Sequence, residues 1–138
     1  MTPEEYEIKR AARLASKEDQ RAAQLAADLD ALSALEDEHG EGRIYRHDLP
    51  TYVPGLPTMA VVRTPTAAEY KRFRDMMRKA KSDTEKGAAV DLLAVPCRVY
   101  PDAPTFDKLL AAFPGLGDSL AKPTLNLAEG GKQEQGKG

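Results

Sequence analysis

The sequence holds one cysteine, two histidines, no tryptophan and few aromatic residues, 6% in all. A single cysteine excludes an internal disulfide framework and fits a reducing compartment. His39 and His47 stand in no ligand spacing such as HxxxH, and Cys97 has no cysteine partner, so no zinc site is predicted. Nothing marks a base beside Cys97, which follows a proline at the head of an apolar segment. A buried structural cysteine is the better reading than a nucleophile. Phosphate-cradling loops of the GxxxxGK[ST] or GxGxxG kind are missing. No apolar run approaches the ~18–20 residues of a membrane span. The opening MTPEEYEIKR is acidic and has no apolar h-region, so no secretory signal is predicted. A formal charge of −2 gives no global field favouring nucleic acid or an anionic membrane. These absences argue against an enzyme, a cofactor and a membrane anchor, and predict a small soluble intracellular protein.

Good helix formers dominate what remains. Residues 3–38 contain no glycine and are rich in Ala, Leu, Glu, Lys, Arg and Gln. Thr2 before Pro3 is a sensible cap and first-turn pairing, with Glu4, Glu5 and Glu7 suiting the positive end of the helix dipole. Ile8, Ala11, Ala15, Ala22, Leu25, Leu29 and Leu32 fall on a heptad seam that Glu18 and Glu36 interrupt. That seam is strongest from Leu25 onward. It fits either an amphipathic helix lying on its own domain or a coiled coil that self-associates or binds a partner, with Leu25, Leu29 and Leu32 as contacts. Ser16 and Asp19 could cap a second helix, but one continuous helix is the expectation. Residues 1–42 carry 11 acidic and 5 basic side chains, a net of −6.

After Gly40 and Gly42 the grammar changes to extended chain. Arg43 to His47 and Met59 to Arg63 read as two short strands, and Pro50, Pro54, Gly55 and Pro57 forbid one continuous strand between them. A two-stranded ribbon with a long Pro-rich loop is predicted. Such a ribbon is marginal in isolation and must pack on helices or pair with another chain.

The densest helix signals run from Thr66 to Leu120. Thr66 stands three before Glu69 and Ser82 three before Glu85, two capping boxes. Tyr70, Phe73, Met77 and Ala80 form one apolar stripe, and Ala88, Ala89, Leu92, Leu93 and Val95 a second that Pro96 ends. An extended segment from Cys97 to Tyr100 leads to a third helix that Asp102 should cap, carrying Phe106, Leu109, Leu110 and Phe113. Pro114 and Gly115 stop it, and Pro123 should interrupt any helix beyond. The core is expected here, in a mainly α fold with a small two-stranded ribbon. The divisions are an N-terminal helix over 1–41, a core domain over 42–128 and a disordered tail over 129–138.

Residues 67–81 hold six basic side chains, among them Lys71, Arg72 and Arg78, against Glu69 and Asp75. They fit a solvated face, or a docking surface for an acidic partner or the chain's own acidic helix. Nucleic-acid binding is the weakest reading, since stacking platforms and recognition motifs are missing.

One stretch resembles a known family. A strand ending in Val62-Arg63 is followed by a capped helix and a second helix ending in a Leu-Ala pair. A CRVYPD segment then precedes a short helix that ends in a P-G-L turn. Cys97, Val99, Tyr100 and Pro101, with Pro114, Gly115 and Leu116, carry the motif, and over residues 58–128 the chain resembles the tail assembly chaperones of tailed bacteriophages. The alanine-rich helix before Gly40 departs from that pattern. The resemblance implies a non-enzymatic protein of the bacterial host cytoplasm that binds the tape-measure protein, tail-tube subunits or both during tail assembly. The alternatives are a structural component retained in the virion, self-associating through its N-terminal helix, and a small nucleic-acid-binding regulator. The Gly-Lys pairs at Gly131 and Gly136 would suit the programmed frameshift that some of these families use.

Overall fold

The structure, a computed structural model, describes residues 1–130. Five helices and three short strands follow in the order α1 (Pro3–His39), β1 (Ile44–Asp48), β2 (Met59–Arg63), α2 (Ala67–Lys79), α3 (Asp83–Ala94), β3 (Arg98–Tyr100), α4 (Ala103–Ala112) and α5 (Leu116–Ala128). A single 3₁₀ turn, Val95–Cys97, joins α3 to β3. The tail expected to be disordered, with both Gly-Lys pairs, lies outside the described residues except for Glu129 and Gly130.

The sheet has three strands, one more than the sequence predicts. β2 is central, antiparallel to β1 from Ile44 opposite Arg63 to Asp48 opposite Met59. On its other edge β3 pairs antiparallel, Val61 with Tyr100 and Val62 with Arg98, with a bulge between. The sequence marks residues 97–100 as extended, but their partner lies almost forty residues away. Three residues carry no local signal of pairing, so the third strand is a tertiary result.

Alternation along β2 builds the two halves of the core. Met59 and Val61 turn to one face, where Leu25, Leu32, Leu35 and Ile44 meet them. Ala60 and Val62 turn to the other, against Cys97, Phe106, Leu109, Leu116, Leu120 and Leu127. The period of two along a strand dictates this division, so β2 is buried on both faces and the sheet lies between α1 and the later helices. The helix α1 is therefore no separate unit: its second half closes one side of the core, while Pro3 to Ser16 are exposed throughout. At 1.5 Å per residue, α1 is roughly 55 Å long, far longer than the short sheet it rests on.

Helix starts follow the sequence closely. Thr2 and Glu5 form a complete capping box (3.1 and 2.8 Å), as do Thr66 and Glu69 (3.1 and 2.8 Å). Asp102 accepts from the Thr105 amide at 3.0 Å. The Ser82 box forms only in half: Ser82 accepts from the Glu85 amide, while the Glu85 carboxylate accepts from the amide of Lys81. In α3 the buried positions are Ala89, Leu93 and Ala94, and Leu92, expected on the inner stripe, is exposed. Ala89 and Leu93 meet Phe73, Tyr70, Met76 and Met77 of α2 in a third apolar cluster, while Ala94 joins the cluster under Ala60 and Val62.

Pro123 does not break the last helix. It sits inside α5, whose Leu116, Leu120, Thr124 and Leu127 form a buried stripe. An interior proline costs about 3 kcal/mol or more, and each large apolar side chain buried returns ~1.5–3 kcal/mol. Three leucines outweigh one proline. Thr124 also donates its hydroxyl to the Leu120 carbonyl at 2.7 Å, a bond that holds its side chain against the helix.

Candidate docking groove and helix

A carboxylate fixes α1 on the sheet. Asp28 is fully buried, one turn from Leu25 and Leu32 on the face of α1 that meets the strands. Its Oδ2 accepts from the Thr58 amide (2.7 Å) and the Thr58 hydroxyl (2.6 Å). Its Oδ1 accepts from Gln24 Nε2 (2.9 Å) and from the phenol of Tyr100. Three parts of the chain therefore converge on one side chain: α1, the end of the Pro-rich loop and β3. Burial, then the bond to Asp28, raise the Tyr100 pKa above its ordinary range, which keeps the phenol a donor. The heptad pattern does not mark Asp28. An acid in phase with Leu25, Leu32 and Leu35 was the signal that could have found it, since a buried carboxylate demands donors.

A second polar centre fastens α2. Arg63, at the end of β2, donates in parallel to both carboxylate oxygens of Glu69 (2.8 and 2.9 Å). Glu69 also takes the Thr66 amide. The Arg63 guanidinium first, with the Thr66 bonds, pulls the Glu69 pKa down to about 2. The Cys97 thiol lies 4.0 Å from Glu69 Oε1. Burial pushes its pKa up to about 11, so it stays protonated and inert, as expected of a structural cysteine.

With its start clamped, α2 presents a basic groove. Ala67, Tyr70, Lys71, Arg74, Asp75 and Arg78 line it along the helix, Arg43 and Thr64 close one end, and Leu127, Ala128 and Gly130 form part of the wall. The groove is open and about 700 Å³. Thr64 donates its amide (2.9 Å) and hydroxyl (2.7 Å) to the Arg43 carbonyl, which holds Arg43 beside the helix start. Arg78 pairs with Asp75. Among the described residues Arg43, Lys71 and Arg74 make no ion pair, so the groove carries unneutralised positive charge. Arg74 is one of the six basic residues the sequence shows on this helix, whereas Arg43, in a loop about thirty positions away, joins them only in the fold. Arg72 points to a different side of α2, beside Met76 and Lys79. Lys71, Arg72 and Arg78 are all exposed.

The leucines of the predicted seam part company. Leu32 is buried and Leu25 packs against the strands, so both serve the chain's own sheet rather than an outside partner. Leu29 is 40% exposed. Ile8, Ala11, Ala15 and Ala22 are exposed as well. Their phase with Leu29, at heptad spacing, makes an uncovered apolar seam along the outer face of α1. Ile8 is 71% exposed. Tyr6 and Leu14 are exposed too, but Tyr6, two residues from Ile8, lies on the opposite side of the helix, and Leu14 lies beside Pro50 and Tyr52.

The family-motif residues do a different job. Cys97, Pro101 and Leu116 are buried, Val99 and Tyr100 pack under α1, and Pro114 and Gly115 form an exposed turn. Arg98 donates to the Pro101 carbonyl (2.6 Å) with its guanidinium 5.7 Å from the centre of the Phe106 ring, which fixes the entry to α4. Apart from the exposed turn at Pro114 and Gly115, these residues build the fold. Among the described residues no cluster of His, Cys, Asp and Glu could hold a metal, and no helix is long and apolar enough to cross a membrane. Compared with protein-family models, curated proteins and solved structures, the chain matches none.

Proposed function

We propose that this chain is a non-enzymatic assembly chaperone of the phage-tail kind, which binds the tape-measure protein, tail-tube subunits or both through the outer face of α1. The observation that carries the reading is the free length of that helix. From Pro3 to Ser16 every residue is exposed, yet it shows Ile8, Ala11 and Ala15 at helical spacing. A soluble protein gains nothing in stability from holding Ile8 in water, whereas burying such a side chain against a partner is worth ~1.5–3 kcal/mol. Alanines on the seam let a second helix approach closely, and an amphipathic helix that meets another at i, i+3, i+4 and i+7 is a common recognition mode. A long helical partner such as a tape-measure protein has the matching shape. The CRVYP and P-G-L residues support kinship of fold with those chaperones, and the binding surface lies elsewhere.

The test is co-expression of the tagged chain with tape-measure and tube proteins of a tailed phage, followed by capture. Recovery of a tape-measure or tube protein supports the reading. Mass spectrometry of purified particles separates it from a structural virion component, because a chaperone is missing from finished particles.

A further inference from the structure

The two charged halves of this molecule are displayed apart. Residues 22–42 hold six acidic side chains and no lysine or arginine, whereas the groove along α2 is lined by four cations and a single acid, Asp75. Within one chain they do not neutralise one another, because α1 packs on the sheet and α2 on α3. On the outward face of α1, Leu29, Asp30 and Asp37 are exposed. Asp30 and Asp37 are seven residues apart, about 10.5 Å along a helix. On α2, Lys71 and Arg78 are also seven apart, with Arg74 between them and Tyr70 beside them as an apolar contact. The spacing of the acids equals the spacing of the cations.

From this match we infer that the groove along α2 receives the outer, acidic face of α1 from a second copy of this chain. Asp30 and Asp37 meet Lys71, Arg74 and Arg78, and Leu29 covers Tyr70. The two patches differ: made twice about a two-fold axis they give an isologous dimer, and made once per copy they give a heterologous contact that closes into a ring or runs on as an open filament. A nucleic acid is the poorer occupant: the chain's net charge of −2 and its acidic helix repel a long polyanion, while a short acidic helix face meets only the local charge. Exposed pairs of this kind are individually weak and salt-sensitive, so the association is modest and falls as ionic strength rises.

Sedimentation velocity on the full chain at about 100 µM, in about 50 mM and about 500 mM NaCl, reads the contact directly. The wild type should associate at low salt and shift towards monomer by at least tenfold in its dissociation constant at high salt. K71E/R74E and D30K/D37K should each be monomeric with unchanged helical circular dichroism, and the four-fold variant carrying both reversals should associate again. Carbodiimide cross-linking of mixed ¹⁴N and ¹⁵N copies gives a second readout that needs no variant: Asp30 or Asp37 should link to Lys71 across isotopes. A wild type that stays monomeric at low salt overturns the inference. So does association that survives either reversal, or isotope-pure cross-links only. A monomeric chain that binds polyglutamate or a short DNA duplex through Lys71 and Arg74 also overturns it, by assigning the groove to another polyanion. Capture of a tape-measure protein is read separately and stands or falls without this contact.

Discussion

Asp28 is the residue on which the placement of α1 depends. Its carboxylate accepts two bonds from Thr58, one from Gln24 and one from Tyr100, so truncation leaves buried donors without partners. Loss of a partner inside a buried polar group costs far more than the net worth of each bond. Asp28→Ala should therefore lower unfolding free energy by about 3 kcal/mol or more in urea titration, although alanine is the better helix former. Tyr100→Phe removes a single donor and should cost about 1 kcal/mol. Equal losses in the two variants would refute this account of the buried network.

Two further residues carry predictions of their own. Cys97 is buried with its pKa pushed up to about 11, so a thiol reagent at neutral pH should leave it unmodified in the native protein and label it in denaturant. Rapid native labelling would contradict its burial. Glu69 is held in the charged form, its pKa lowered from 4.5 to about 2 by Arg63 and Thr66. A depressed carboxylate stabilises the fold fully above its unfolded value and loses that contribution as pH falls through the folded one. Wild-type stability should thus decline from about pH 4.5 down to about pH 2, and Glu69→Gln should be less stable at neutral pH with a shallower acid decline. Parallel curves for the two proteins would show that the Arg63 pair does not contribute.

At the scale of elements, most of what is local was legible. The caps at Thr2, Thr66 and Asp102 rest on short-range chemistry and stand where the sequence puts them. The strand at Met59–Arg63 has the expected limits, and the uninterrupted α1 follows from its freedom from glycine. Illegible were the outcomes that distant groups decide. β3 exists because Val61 and Val62 offer it an edge, and Pro123 is tolerated because α5 buries three leucines around it. The heptad seam was the most instructive case. A repeat of seven drifts by ~20° per heptad on a straight helix, so it could not reveal which leucines face the sheet. Asp28, which needs donors, marks that face better than any leucine does, and Leu29 falls outside it. The groove shares this fate: Lys71 and Arg78 were visible as helix charges, whereas Arg43 joins them only through Thr64.

As a whole molecule, the protein is a small core with a helix that outreaches it. The core is closed on itself: among the described residues no buried side-chain nitrogen or oxygen lacks a partner. What is left open is the outer face of α1, and the proposed function places the partner there. Ile8→Asp with Ala15→Asp puts two charges on that face at exposed positions, so unfolding free energy should change by about 1 kcal/mol or less, the helix propensity of aspartate. The decisive measurement is capture of co-expressed tape-measure protein by the wild type and by this double variant, matched for expression and circular dichroism. The account predicts recovery by the wild type and at least a tenfold loss with the variant. Equal recovery by both would contradict it, as would failure of the folded wild type to capture any tape-measure or tube protein.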